Sequence, residues 1–182
     1  SCQPEKFMCG VWVALEDVET DAGPLFLYPG SHRWPVMSNA LIGRRGQGMS
    51  LASAQHPFAE AWSALIDAQE AEREVFLARK GQALIWTANL LHGGCTKSDP
   101  TLTRWSQVTH YYFEDCLYYT PAYSDETIGV FDLRRITAIH DKTERPNLFF
   151  GEPVRSRSNS LHRLNPVNAI ALLRQLARRT VN

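Results

Sequence analysis

The chain has 182 residues, 44% apolar and 21% charged, which is the composition of a globular domain long enough to bury a sizeable core. Its 19 basic and 19 acidic side chains cancel, which argues against a protein built to bind nucleic acid or an anionic membrane surface. No apolar run reaches the roughly 18 residues of a membrane-spanning helix, and no leader pattern is present, so no membrane association is expected.

The first element, FMCGVWVAL over residues 7 to 15, is a nearly continuous apolar run of β-formers, the pattern of a strand buried on both faces, and Glu16-Asp17 ends it. After a polar turn, Pro24 to Tyr28 reads as a short strand, and Pro29-Gly30-Ser31-His32 as a tight turn in which His32 serves structure. From Arg33 to Gln55 the pattern dissolves into a long loop of the kind that lies over a site. Its Gly43-Arg44-Arg45-Gly46-Gln47-Gly48 run is not a phosphate loop, because no helix opening with Lys-Ser or Lys-Thr follows, and its arginines read as solvated loop charges.

Pro57 opens a helix predicted to run to about Arg73, with Phe58, Ala61, Trp62, Leu65 and Ile66 on one face as core packing. Glu74 to Ala78 then reads as a strand paired through the Arg79-Lys80-Gly81 turn with Gln82 to Thr87, whose apolar continuation ends in His92. A loop of Gly, Ser, Asp and Pro leads to a further strand, Arg104 to Phe113, expected to lie antiparallel to the His92 arm. On that strand Arg104, Ser106, Val108, His110 and Tyr112 share one face, and Arg104 and His110 lie about 20 Å apart, so His110 is read as an interior or rim histidine.

The pairing of a histidine and an arginine near one rim is chemically informative. A neutral imidazole offers a metal a nitrogen ligand, and a guanidinium offers a small acid a planar clamp that keeps its charge. A site holding both suits a metal together with a carboxylate co-substrate that chelates it.

Residues 114 to 151 are irregular and aromatic, which predicts an arm wrapping the core with Arg134 and Arg135 outward. The last acid is Glu152, after which Arg155, Arg157, Arg163, Arg174, Arg178 and Arg179 make the tail about +6 and leave the rest about −6. Asn165 and Pro166 predict a C-terminal helix with an apolar seam of Ile170, Leu173 and Ala177 that docks on its own domain. The four cysteines, Cys2, Cys9, Cys95 and Cys116, lack the spacing of a metal knuckle or a disulfide framework and read as reduced thiols of a cytoplasmic protein.

Several pieces, in order, resemble the phytanoyl-CoA dioxygenase family of iron(II)- and 2-oxoglutarate-dependent oxygenases. They are Val-Trp-Val-Ala-Leu (11 to 15), Ala-Gly-Pro-Leu (22 to 25), Pro-Gly-Ser-His (29 to 32), Leu-His-Gly-Gly (91 to 94) and Arg-Trp-Ser (104 to 106). The resemblance covers about the first 120 residues. It implies a mainly β fold, a partial double-stranded β-helix or jelly-roll barrel of the cupin-like kind, with a helical insert at about 57 to 73 and a C-terminal helix. Residues 1 to 120 would form the core, and 121 to 182 an arm and helix of the same domain.

The resemblance also implies roles. His92 corresponds to the distal histidine of a facial triad of two His and one carboxylate holding Fe(II). Arg104 corresponds to the residue pairing with the far carboxylate of 2-oxoglutarate, with Ser106 as an added donor on the same strand face, and Trp12 to an aromatic lining the co-substrate pocket. The implied reaction uses Fe(II), 2-oxoglutarate and molecular oxygen to hydroxylate a small organic or acyl substrate, which the family name does not itself identify.

One departure stands beside the match. The family's His-x-Asp motif precedes the Val-Trp-Val-Ala-Leu strand, and neither His32, His56, His110, His140 nor His162 is followed two residues on by Asp or Glu. The expectation is therefore a C-terminal fragment that lacks two iron ligands and is inactive as written, because one imidazole does not hold Fe(II) usefully against water. A metal-free jelly-roll binding domain or pseudoenzyme is the alternative, and a chain that completes its barrel with another is the third reading.

Overall fold

The computed structural model describes residues 2–45 and 54–154. The strands are β1 (Cys2–Gln3), β2 (Met8–Ala14), β3 (Leu25–Leu27), β4 (Glu74–Phe76), β5 (Ala83–Thr87), β6 (His92–Gly94), β7 (Ser106–Tyr112), β8 (Leu117–Tyr118), β9 (Ile136–Thr137), β10 (Glu144–Arg145), β11 (Asn147–Phe149) and β12 (Glu152–Val154), with one α-helix, α1 (Ala59–Ala68), among the described residues. The mainly β class is as expected. The predicted C-terminal helix and the arginines of the tail lie outside the described residues.

Two antiparallel sheets carry the core, β5-β2-β7 and β4-β3-β6. Along β2 burial alternates strictly, with Met8, Gly10, Trp12 and Ala14 buried and Cys9, Val11 and Val13 half-buried. The sheet is thus closed on one face and only partly covered on the other, where Ile85 beside Val11 is 67% exposed. The expected burial of both faces is half met. The inner face meets the second sheet in a cluster of Trp12, Ala14, Val18, Ala78 and Trp86, against which Leu25, Phe76, Leu84 and Leu90 pack. Trp12 meets Phe76 edge-on, ring centroids 6.0 Å apart, which ties sheet to sheet.

The sandwich is open on one side: β6 and β7 are each paired on a single edge, and no closed barrel forms among the described residues. Val108 shows the consequence. It lies opposite Trp12 on the inner face, yet it is 49% exposed.

Two strand pairings differ from the sequence reading. Glu74–Phe76 pairs with Leu25–Leu27 rather than with Gln82 to Thr87, and Ala83–Thr87 pairs with β2. Gly81, at φ 85°, donates its N–H to Ala14 O, and Lys80 N–H donates to Asp17 Oδ1. These bonds carry the chain from one sheet to the other instead of closing a hairpin, which a turn signature in sequence does not distinguish. Likewise β2 lies between β5 and β7, so the His92 arm and the Arg104 strand are not an antiparallel pair. A turn in which Leu90 N–H donates to Thr87 O redirects the chain, and His92 begins a separate strand of the other sheet.

The helical insert starts as predicted, a 3-10 turn at His56–Phe58 leading into α1, and stops at Ala68 rather than Arg73. Phe58 is buried with Met37 and Ala122, and Ala61, Trp62 and Leu65 pack on them. The arm after β7 is three short pairs: β8 joins β1, β9 joins β10 and β11 joins β12. Arg135 is outward as expected, in an exposed pair with Glu144 at 2.8 Å. Arg45 is not merely solvated: its Nε lies 2.5 Å from Oδ2 of the buried Asp125.

Candidate functional site

Strand β6 runs beside β3 with Leu27 opposite His92 and Leu25 opposite Gly94, so His92 and Gly94 share the inner face on which Leu25 packs into the core. The His92 ring is fixed twice. It stacks at 4.8 Å on Trp86, and its Nδ1 lies 2.7 Å from Leu90 O. A carbonyl only accepts, so Nδ1 is the donor, an arrangement that orients the ring and leaves Nε2 on its far side.

The turn before β6 is held by the Pro-Gly-Ser-His segment. Buried Ser31 accepts the Leu91 N–H through Oγ at 2.8 Å, Tyr28 N–H donates to Leu91 O, and Asn89 Nδ2 donates to His32 O at 2.5 Å. His32 thus plays a structural part through its backbone. Ser31 and Asn89 fix where His92 begins, and their signal in sequence is only turn composition.

Arg104 precedes β7 and shares the inner-face parity of Ser106, which is paired with buried Ala14. Its guanidinium crosses the gap between the sheets. A Cβ placed on Gly94 would meet Arg104 Nη1 at 3.3 Å, so the missing side chain is the space the guanidinium occupies. Gly94, beside the guanidinium, lies on the same face of β6 as His92, two residues or about 7 Å along the strand. Nη1 donates to Gly23 O. Gly23 is itself constrained to glycine, with φ 76° and a Cβ position 3.0 Å from Cys95 O. No carboxylate pairs with the half-buried Arg104 among the described residues.

Of the other predicted residues, Ser106 lies on the same inner face, two residues beyond Arg104. Trp12 is 2% exposed and packs in the core cluster. His110 is exposed and paired with Gly10, level with Trp86, at the rim of a cavity of about 610 Å³ between His110–Cys116 and Arg135–Leu148. None of His92, Arg104, Ser106 or Trp12 lines that cavity.

The donor set for a metal is incomplete. Among the described residues no three His, Cys, Asp or Glu side chains converge on a common point. All four cysteines are free, and Cys95 joins no such group.

The sequence profile of phytanoyl-CoA dioxygenase (PhyH) matches residues 1–100. The chain belongs to the phytanoyl-CoA dioxygenase family. The family's fold is of the iron- and 2-oxoglutarate-dependent oxygenase type, with iron and 2-oxoglutarate as its cofactor and co-substrate. Among solved structures it is similar to SnoN, a non-heme alpha-ketoglutarate-dependent epimerase of nogalamycin biosynthesis, at 19% identity and TM-score 0.44, over 86% of this chain and 54% of that one. SnoK, a carbocyclase of the same biosynthesis, gives 19% and 0.45 over 71% and 46%. SnoN in complex with Fe3+, alpha-ketoglutarate and nogalamycin RO gives 16% and 0.41 over 84% and 49%. The chain spans about half the length of these structures. No curated protein matches it. No helix of the described residues is long and apolar enough to cross a membrane.

Proposed function

We propose that the protein acts as an Fe(II)- and 2-oxoglutarate-dependent dioxygenase that hydroxylates a small organic or acyl substrate using molecular oxygen. The observation that supports this reading is an oriented imidazole at His92 and, beside Gly94 two residues along the same face of β6, a guanidinium with no acid partner among the described residues. His92 Nε2 would hold the iron. Arg104 would take the far carboxylate of 2-oxoglutarate in a charge-assisted pair, and Ser106 would add a hydroxyl donor. Trp12 would close the floor below the co-substrate. When bound, the iron supplies oxygen activation coupled to oxidation of 2-oxoglutarate, and the protein contributes placement.

No three-ligand group is present among the described residues, so in this reading His92 would supply one iron ligand and the described residues alone would not hold the metal. The four free thiols support a cytoplasmic setting. The same incomplete donor set favours a second reading, a metal-free domain that binds a dicarboxylate through Arg104 alone.

Calorimetric titration of 2-oxoglutarate with and without Mn(II), a redox-silent substitute for Fe(II), separates them. In the oxygenase reading the metal tightens binding, and His92→Ala removes that gain. Affinity indifferent to both metal and His92 selects the binding domain. In either, Arg104→Ala weakens 2-oxoglutarate by about tenfold or more, the loss of a charge-assisted pair. Undiminished affinity in that variant overturns the assignment of Arg104.

A further inference from the structure

We infer that Glu16 is a positioning residue for Arg104, setting the direction of the guanidinium by gripping the residue on either side of it, Trp105 by its backbone N–H and Thr103 by its hydroxyl. This rests on the dicarboxylate-binding role of Arg104 proposed above.

The β2–β7 ladder pairs Ala14 with Ser106 as its last regular step. One further bond, Leu15 N–H to Trp105 O at 2.9 Å, is made before β2 turns away. The Trp105 N–H is left facing the departing chain, where Leu15 O would accept it in a continued ladder. Glu16 replaces that carbonyl with its own side chain. Oε1 accepts the Trp105 N–H at 2.6 Å, and Oε2 accepts the Thr103 hydroxyl at 2.9 Å.

One carboxylate thus spans residues 103 and 105. Because side chains alternate along an extended strand, fixing both neighbours fixes which face Arg104 takes. The exposure of Trp105, at 66%, shows the opposite parity next door. Without Glu16 the segment leading into β7 has, among the described residues, no hydrogen bond on the β2 side beyond the Leu15 bond. Its last anchors would be the Gly23 carbonyl, which holds the guanidinium itself, and the start of the ladder at Ser106. Glu16 does not reach the co-substrate and is not a catalytic residue. Its contribution is orientation, and orientation errors well under a side-chain length are enough to weaken a bidentate clamp.

NMR titration with 2-oxoglutarate on the full chain measures tight and millimolar affinities alike. Glu16→Ala is expected to weaken binding about tenfold, while Glu16→Gln, which keeps an acceptor for the Trp105 N–H, stays within about threefold of wild type. In an Arg104→Ala background, Glu16→Ala is expected to change the affinity by less than about twofold, because the group it orients is gone. Wild-type affinity in Glu16→Ala, or an equal loss in both backgrounds, overturns the positioning role while leaving Arg104 as the anion clamp. If Arg104→Ala binds like wild type, the clamp fails first and the role of Glu16 falls with it. Glu16→Gln folds with the same shape, so instability of the alanine variant leaves the comparison readable.

Discussion

Gly94 leaves room for the Arg104 guanidinium by having no side chain. Its backbone is not in the left-handed region, so alanine is conformationally tolerated, and the added methyl would lie 3.3 Å from Arg104 Nη1. Gly94→Ala is therefore expected to lower 2-oxoglutarate affinity by about three- to tenfold with a change in folding stability below about 1 kcal/mol. Paired binding and urea-unfolding measurements test this, and a stability loss with intact affinity would refute it. Its neighbour behaves differently. A Cβ on Gly93 would fall 2.7 Å from the Phe26 ring on the outer face, so Gly93→Ala acts on packing rather than on the ligand. The motif Leu-His-Gly-Gly was legible as a motif in sequence, and His92 and Arg104 were legible as chemistry. That one glycine yields to an arginine and the other to a phenylalanine was not, because Phe26 lies 67 residues from Gly93 and Arg104, though only 10 residues past Gly94, leads into a strand of the other sheet.

At the scale of elements, sequence periodicity located the helix and its buried face, and the C-terminus was overshot for a physical reason. The helix ends in a Schellman arrangement: Ala71 N–H donates to Ile66 O and Glu70 N–H to Asp67 O, with Glu70 at φ 47° in the position that usually holds glycine. No glycine marks the stop, so the polar run to Arg73 read as more helix. Glu70→Gly is expected to raise stability by about 0.5–1 kcal/mol by relieving a left-handed side-chain residue, and thermal unfolding would detect the opposite sign if strain there is absent. The strands show the complementary case. Their composition was plain, but hairpin logic paired β4 with β5, whereas each joins a different sheet.

Across the whole molecule, the long loop and the arm are joined by polar groups whose balance predicts a pH dependence. Asn39, fully buried, donates from Nδ2 to the carbonyls of Pro121, Ala122 and Ser124. Nearby in sequence to the buried Asp125, both carboxyl oxygens of Glu126 are buried with no hydrogen-bond partner among the described residues. Burial raises the Glu126 pKa, and the amides of Glu126 and Ala40 offset this only in part, neither in hydrogen-bond geometry. A raised folded-state pKa means the folded chain prefers the neutral acid. Stability from this group is thus greatest below the unfolded carboxyl value and falls as pH climbs through the folded one. Glu126→Gln, always neutral, should resemble wild type near about pH 4 and exceed it at about pH 7.5. Urea melts across that range check it, and a wild type that is the more stable at the higher pH would show the carboxylate to be satisfied when charged.

The sequence by itself determined the mainly β class, the core stripe of β2, the family and the two residue types that make the site chemically distinctive, because these are properties of local pattern and of motifs in order. Only the tertiary structure decided that β2 separates the His92 arm from the Arg104 strand, that the Arg104 guanidinium fills the space beside Gly94, and that Ser31 and Glu16 bond the turn before His92 and the residues flanking Arg104. Those facts depend on which strands meet, and strand partnership is set by long-range packing that short-range periodicity does not encode.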